Sequence, residues 1–295
     1  MRLGPGDDAA FLRGGMVIST DLAVEGVHFR LDWISAQEAG FRAGAAALSD
    51  LAAMGAAPMA LLVSLAVRGE PSLALELQRG VRAAGDRVGV AIVGGDVSRS
   101  PGPAVVDVVA VGRARTVTVR GGAEVGQGVW VSGALGGAAA AVRTWEAGTE
   151  PDPRARERFV APPDRVTLGV ALAVAGVARA MIDISDGLVA DARRVADASR
   201  VMIRLDAGAI PVDDGAGDLN LALEGGEDYE LMFTAPAGAG SRIRALGQEM
   251  AVALTRIGRV EEGEGVVLED SRGRARAPGR GGYDHFAPPG PGGAS

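Results

Sequence analysis

The chain has 295 residues, 47% hydrophobic and 23% charged, a composition that buries an ordinary core and is neither fibrous nor disordered. It contains no cysteine and no lysine, all 30 basic residues being arginine. Disulfides, thiolate nucleophiles, Cys-ligated zinc, lysine Schiff bases and a Walker-type phosphate loop are therefore excluded. Two histidines, His28 and His285, are too few for a multi-histidine metal site, and a net charge of −7 argues against nucleic acid or an anionic membrane as a partner.

What remains for chemistry is carboxylates, hydroxyls, arginines and backbone amides. No apolar run reaches the roughly 18 residues of a membrane span. The opening Met1-Arg2-Leu3-Gly4 lacks the apolar stretch of a secretion signal, so a cytoplasmic location is expected.

In chain order, residues 16–19 form a short β-branched run that breaks into Thr20-Asp21. Ser35, followed three residues later by Glu38, has the pattern of a capping box, and opens a helix that stops at Gly55 ahead of Pro58. Residues 59–67 read as a strand, 71–88 as a helix with Pro71 in its first turn, and 90–93 as a strand ending in Gly94-Gly95-Asp96. A further strand covers 105–111. The Arg- and Gly-containing stretch 116–128 is a connection, which divides the chain into an N-terminal domain (1–118), a C-terminal domain (119–286) and a Pro/Gly-rich tail (287–295).

Residues 129–132 begin the second unit as a strand, followed by an alanine-rich helix after Gly136-Gly137. Residues 166–177 and 187–199 read as helices, and 180–184, 201–205, 229–234 and 252–257 as strands. Phe29 and Trp33 read as core. Helices and strands in both halves predict a layered α/β (α+β) architecture in two domains.

Acidic residues recur in one setting, an apolar strand followed by a small residue and then aspartate. Asp21, Asp96, Asp183 and Asp186 fit it; Asp7-Asp8 among glycines, Asp50 within a helix and Glu227-Asp228 after Gly225-Gly226 add further clusters. Each alone has an ordinary reading: Asp7-Asp8 and Asp96 as turns, Asp50 as a solvent-facing helical residue. Asp183 is harder to dismiss, because it interrupts a buried strand where a lone charge is costly. Asp186 can serve as an N-cap as well as a ligand. So many carboxylates repel one another unless a hard cation lies among them, and Mg²⁺ shared with substrate phosphates suits that best.

Seven motifs in order make the pattern specific: Gly6-Asp7-Asp8-Ala9-Ala10; Ser19-Thr20-Asp21 with Gly26-Val27-His28-Phe29; Leu48-Ser49-Asp50-Leu51-Ala52-Ala53-Met54-Gly55-Ala56; Gly94-Gly95-Asp96; Ile182-Asp183-Ile184-Ser185-Asp186-Gly187-Leu188; Gly225-Gly226-Glu227-Asp228-Tyr229-Glu230-Leu231; and Gly282-Tyr283-Asp284-His285-Phe286. Together they resemble the thiamine-monophosphate kinases of the aminoimidazole-ribotide-synthetase-like (PurM-like) superfamily.

The resemblance implies a two-domain PurM-like fold whose N-terminal domain dimerises. It implies Mg²⁺-dependent transfer of the ATP γ-phosphoryl group to thiamine monophosphate, giving thiamine diphosphate and ADP. Matched motif by motif, Asp8, Ser19, Thr20, Asp21, Asp50, Asp96, Asp183 and Asp186 correspond to ligands of several Mg²⁺ ions. Gly95, Asp96, Arg120 and Ser185 correspond to ATP contacts, and His28, Glu227 and Tyr283 to thiamine-substrate contacts. No dedicated catalytic base is implied, since a phosphate monoester is already a nucleophile.

One departure is that the chain starts almost at the first motif, where the family has an apolar helical segment; its loss is expected to expose apolar surface and weaken a dimer. Selenophosphate synthetase and the hydrogenase-maturation carbamoyl dehydratase fit less well, since their essential Cys or selenocysteine is absent, and aminoimidazole-ribotide synthetase fits the Glu227 and Tyr283 motifs poorly. A catalytically silent nucleotide-binding protein is the alternative from another class, and the intact acidic stations argue against it.

Overall fold

Two mixed sheets organise the chain, and the computed structural model describes residues 3–279. The first sheet contains β1 (Ala10–Phe11), β2 (Met16–Val24), β3 (Ala57–Val67), β4 (Ile92–Arg99) and β5 (Val105–Arg113), in the order β1-β2-β5-β3-β4. All its pairs are antiparallel except β3 with β4. Helices α1 (Ala36–Ala53) and α2 (Pro71–Arg87) complete this half.

Strand alternation separates the two faces of the sheet. Val17, Ser19, Ala23, Leu61, Val63, Leu65, Val106, Val108 and Ala110 are buried, whereas Thr20, Leu22 and Ser64 of the opposite parity are exposed. Helix α1 is wedged at the centre of the molecule. It begins with the capping box read from the sequence, Ser35 N–H donating to Glu38 Oε2 at 2.8 Å and Glu38 N–H to Ser35 Oγ at 3.2 Å. Its glycines and alanines let neighbours approach to backbone contact: a β-carbon on Gly40 would lie 1.9 Å from Leu77 O in α2.

The second sheet holds β6 (Gly128–Ser132), β7 (Met181–Asp183), β8 (Met202–Asp206), β9 (Leu231–Ala235), β10 (Leu254–Glu261), β11 (Gly265–Glu269) and β12 (Ala275–Arg276). Their order is β12-β11-β8-β10-β6-β9-β7, with only β8 and β11 parallel. Its helices are α3 (Gly137–Glu146), α4 (Pro153–Val160), α5 (Val166–Val174), α6 (Leu188–Ser199), α7 (Leu219–Glu224) and α8 (Gly240–Glu249).

One core runs from the first sheet through α1 to α3, α4 and α5; the other fills the space between the second sheet and α6 and α7. Helix α5 meets α1 so closely that a β-carbon on Gly169 would come within 2.1 Å of Ala52 O. The half-buried Trp33 stacks on Trp145 of α3 at 5.4 Å between ring centroids, and Trp145 meets Phe159 of α4 edge-on at 5.2 Å. That aromatic row also ties the two halves together.

Two strands outrun their sequence-based limits. The acids at Thr20-Asp21 and Gly95-Asp96 were expected just beyond strand ends, yet β2 continues to Val24 and β4 to Arg99. The reason is pairing: β5 hydrogen-bonds along the whole of β2, and β3 pairs with β4 through Ser64 and Asp96. Gly95 takes φ +148°, with Val63 O only 1.8 Å from where a β-carbon would be. Backbone geometry alone therefore requires glycine there.

Candidate active site

Three acids from separate parts of the chain meet where the two halves touch. Asp8 precedes β1, Asp50 lies in the last turns of α1 and Asp183 ends β7; each offers a carboxylate oxygen, all within 4.8 Å of one another. Hydroxyls from α1 and β2 hold them. Ser49 Oγ donates to Asp183 Oδ2 at 2.7 Å, and Ser19 Oγ hydrogen-bonds the Asp50 carboxylate while lying 3.2 Å from Asp8 O. Arg120, in the short 3₁₀ turn Arg120–Gly122, donates from Nη2 to Asp8 Oδ1 at 2.6 Å. Its backbone N–H faces the Asp7 carboxylate at 3.2 Å.

The electrostatic cost of this arrangement is large. Burial, followed by the charge of Asp183, drives the Asp50 carboxyl well above the usual carboxylate range. Burial and then Asp8 do the same to Asp183. Asp8 is raised by burial and partly relieved by Arg120. Around them Asp7 and Asp21 are each pushed up to about 6, again chiefly by burial. Asp8 Oδ2 is buried without a hydrogen-bond partner. An orphaned carboxylate oxygen, a cluster made only of oxygen donors and mutual repulsion that Arg120 relieves only in part together fit a hard divalent cation such as Mg²⁺.

Beside the acids lies a cavity of about 320 Å³, lined by Asp21, His28, Ser185, Asp186, Glu227 and Tyr229, with Val27, Ala139 and Val142 as its apolar wall. Val24 N–H donates to His28 Nδ1 at 3.1 Å, which fixes the ring beside β2. Glu227 and Tyr229 adopt left-handed backbone, φ 67° and 49°, a costly conformation for side-chain-bearing residues. They are held by pairing with the loop after β7: Glu227 N–H donates to Ser185 O at 2.7 Å and Tyr229 N–H to Ile184 O at 2.8 Å. Gly226 is needed for that approach, since its β-carbon would sit 2.3 Å from Ser185 O.

The sequence-expected residues do not all converge. Asp8, Ser19, Asp50, Asp183 and Arg120 form one cluster, and Asp21, His28, Ser185, Asp186 and Glu227 line the adjoining cavity. Thr20 points to the opposite face of its sheet, where Oγ1 donates to Asp107 Oδ1 at 2.7 Å. Asp96 and Gly95 lie on the exposed edge strand. The ladder Leu22–Asp107–Ser64–Asp96 crosses three strand spacings, about 14 Å. Tyr283 lies outside the described residues.

Sequence reasoning missed Arg42. It is buried in α1, donates from Nη2 to Glu227 Oε1 at 2.6 Å, also hydrogen-bonds Phe159 O, and stacks over the Phe159 ring with its guanidinium carbon 3.5 Å from the centroid. Its one sequence signal is a cation inside an otherwise Ala/Gly-rich helix. The expected N-cap role of Asp186 is also corrected: Gly187 is the cap of α6, with no side-chain bond of its own, and the loop amides turn instead to Asp191.

Two family models match the chain, the N-terminal domain of AIR synthase related protein over residues 6–114 and its C-terminal domain over 124–271. A thiamine-monophosphate kinase of Mycobacterium tuberculosis is 38% identical over 287 residues, covering 91% of this chain and 82% of the relative. One from Methanopyrus kandleri is 34% identical, covering 91% and 87%. The chain belongs to the thiamine-monophosphate kinase family.

The fold is accordingly the two-domain PurM-like one. A solved thiamine-monophosphate kinase from Stenotrophomonas maltophilia superposes at a TM-score of 0.80 with 36% identity, covering 90% of each chain. AaThiL complexed with AMPPCP and TMP superposes at 0.82 with 32% identity, covering 95% and 91%. The hydrogenase maturation protein HypE reaches 0.79 at 17% identity, a likeness of fold alone.

Proposed function

We propose that this chain is a thiamine-monophosphate kinase that transfers the γ-phosphoryl group of ATP to thiamine monophosphate, forming thiamine diphosphate and ADP. The observation that carries this reading is the meeting of Asp8, Asp50 and Asp183 beside a cavity lined by Asp21, His28 and Glu227, on a chain from this family. AaThiL, of the same fold, was solved with AMPPCP and TMP.

In this reading Asp8, Asp50 and Asp183, with Ser19, Asp21 and Asp186 around them, are the Mg²⁺ ligands. Bound Mg²⁺ supplies the positive charge that offsets the repulsion between two phosphorylated substrates. The acceptor is a phosphate oxygen, already nucleophilic, so the side chains are asked to position and neutralise rather than to take a proton. Arg120 and Ser185 face the nucleotide. His28 and Glu227 face the thiamine moiety, whose thiazolium cation suits the Glu227 carboxylate, and Tyr283 is assigned to the same substrate by its sequence motif alone.

The functional unit is a homodimer. Support comes from the uncovered face of the first sheet, where Leu22 is 52% exposed and stands in register with Asp107, the exposed Ser64 and Asp96. Thr20 and Asp96 belong to that surface, and in this reading they act as Mg²⁺ ligands, with Gly95 and Asp96 contacting ATP, once a second copy is seated there. The domain division falls at 118/119. In this reading the enzyme works in the cytoplasm; among the described residues no helix is long and apolar enough to cross a membrane.

Purified protein incubated with ATP, Mg²⁺ and thiamine monophosphate is expected to yield thiamine diphosphate and ADP in equal amounts. ADP release that ignores thiamine monophosphate, or nucleotide binding without turnover, overturns the reading.

A further inference from the structure

The loop between β7 and α6 carries Ser185 and Asp186 to the cavity wall, and its shape depends on a residue facing the other way. The N-terminus of α6 lacks an ordinary side-chain cap: Gly187 occupies the cap position with φ 116° and makes no side-chain bond. Its unpaired amides are met from inside the first turn. Asp191, fully buried, accepts at one oxygen, Oδ2, from the backbone N–H groups of Ser185 at 3.1 Å, Asp186 at 3.1 Å and Gly187 at 3.2 Å. Its Oδ1 accepts from Arg194 Nη1, and Arg194 Nη2 reaches Asp186 Oδ2.

Three successive amides converging at a helix start form a nest that ordinarily takes an anion, often a phosphate. Here the protein's own carboxylate occupies it. We propose that Asp191 is a positioning residue, an internal anion that closes this nest to substrate phosphates and sets the Ser185 hydroxyl and Asp186 carboxylate toward the cavity. The inference rests on the reading of Ser185 and Asp186 as nucleotide and metal contacts. It adds that nucleotide phosphates are met there by side chains and metal, while the loop amides are spent on Asp191. Arg194 completes the device by bridging Asp191 to Asp186, so the carboxylate is aimed from both its backbone and its side chain.

Wild-type turnover is measured first, so that failure of the kinase reading is seen separately. In Asp191→Ala the ATP KM and the Mg²⁺ concentration for half-maximal rate are expected to rise about ten-fold or more. Asp191→Asn, which keeps an acceptor oxygen, is expected to recover most of that loss. A merely structural role lowers the active fraction and hence kcat, and leaves both half-saturation values where they were.

The readout free of turnover is a thermal melt of metal-free protein with added formate, a carboxylate small enough to enter the vacated nest. Formate is expected to raise the midpoint of Asp191→Ala and not of the wild type. If Asp191→Ala does not fold, the Asn variant decides: a rise in Mg²⁺ and ATP half-saturation of two-fold or more, reversed by neither dilution nor added protein, upholds the proposal. Wild-type half-saturation values in Asp191→Ala, or an Ala variant indifferent to formate, overturn it; where only the Asn variant folds, wild-type values there overturn it.

Discussion

Arg42 Nη2 lies 2.6 Å from Glu227 Oε1, so a helix of the first domain directly holds the strained loop of the second. Arg42 is almost wholly buried, with 6% of its side chain accessible, whereas Glu227 keeps 27%. Burial raises the Glu227 carboxyl above its ordinary value, and Arg42 counters that. Removing a buried partner costs more than a surface pair because it strands the other charge. Arg42→Met is therefore expected to destabilise the protein by about 2 kcal/mol, below the full cost of a buried pair because Glu227 is partly solvated. It should also raise the KM for thiamine monophosphate more than that for ATP. Melting curves and separate substrate titrations check this; an unchanged thiamine-monophosphate KM in a folded variant removes Arg42 from the substrate wall.

If the acidic cluster holds Mg²⁺ as proposed, pH and metal act on the same groups. Asp21 titrates at about 6, and Asp50 and Asp183 are higher than the ordinary carboxylate range. In the unfolded chain these groups titrate near 4. Between the two values the folded state binds more protons than the unfolded one, so stability falls as pH rises through that window. In EDTA the thermal midpoint is expected to be higher at pH 5.5 than at pH 8, and Mg²⁺ should restore it at pH 8. Protons and metal compete for the same oxygens, so the Mg²⁺ needed for half-maximal rate should climb as pH drops from 8 to 6. A metal-free midpoint that rises toward pH 8 contradicts the proposed charge balance.

How much of this was legible in the sequence depends on which force governs each residue. Asp183 announced itself because a charge inside Met181-Ile182-Asp183-Ile184 is too costly to be incidental, and the Ser35–Glu38 capping box is a local motif that folds as written. Thr20 and Asp96 were grouped with the other expected ligands because adjacent letters share a motif, yet strand alternation turns Ser19 and Asp21 inward and Thr20 outward. That parity was readable once β2 was known to continue past Asp21, which depends on pairing with β5, a contact more than 80 residues distant in sequence. Arg42 and Asp191 were hidden for a different reason. Their partners, Glu227 and the 185–187 amides, are chosen by tertiary packing and leave no spacing signature.

The place of Asp96 on an exposed edge strand, outside the cluster that holds Asp50, makes a mixing experiment informative. If Asp96 serves the partner's site, Asp50→Asn and Asp96→Ala are each inactive alone, and a mixed dimer keeps one site with both acids intact. Random exchange makes half the dimers mixed with one working site in two, so activity should return to about a quarter of wild type. Unfolding and refolding the two variants together, against each refolded alone, is the measurement. No recovery in a refolded dimer means Asp96 acts within its own chain or not at all.

Function and stability should part at Asp50. Its half-buried carboxylate lies against Asp183 and Asp8, and the Ser19 hydroxyl offsets part of that repulsion. Asparagine has nearly the same shape, keeps an oxygen for Ser19 and removes one charge from a repelling group. Asp50→Asn is therefore expected to stabilise the metal-free protein by about 1–2 kcal/mol, in line with the gains seen when strained functional sites are neutralised. It should also flatten the fall in midpoint between pH 5.5 and 8, because one of the groups that loses its proton in that window is gone. The same change takes away a proposed metal ligand, so turnover should drop at least 100-fold and Mg²⁺ should no longer raise the melting temperature as it is expected to in wild type. A structural carboxylate would behave in the reverse way, since losing it would weaken the fold and leave the response to Mg²⁺ intact. The sign of the stability change in EDTA thus separates a site built to hold a cation from one built to hold the domains together.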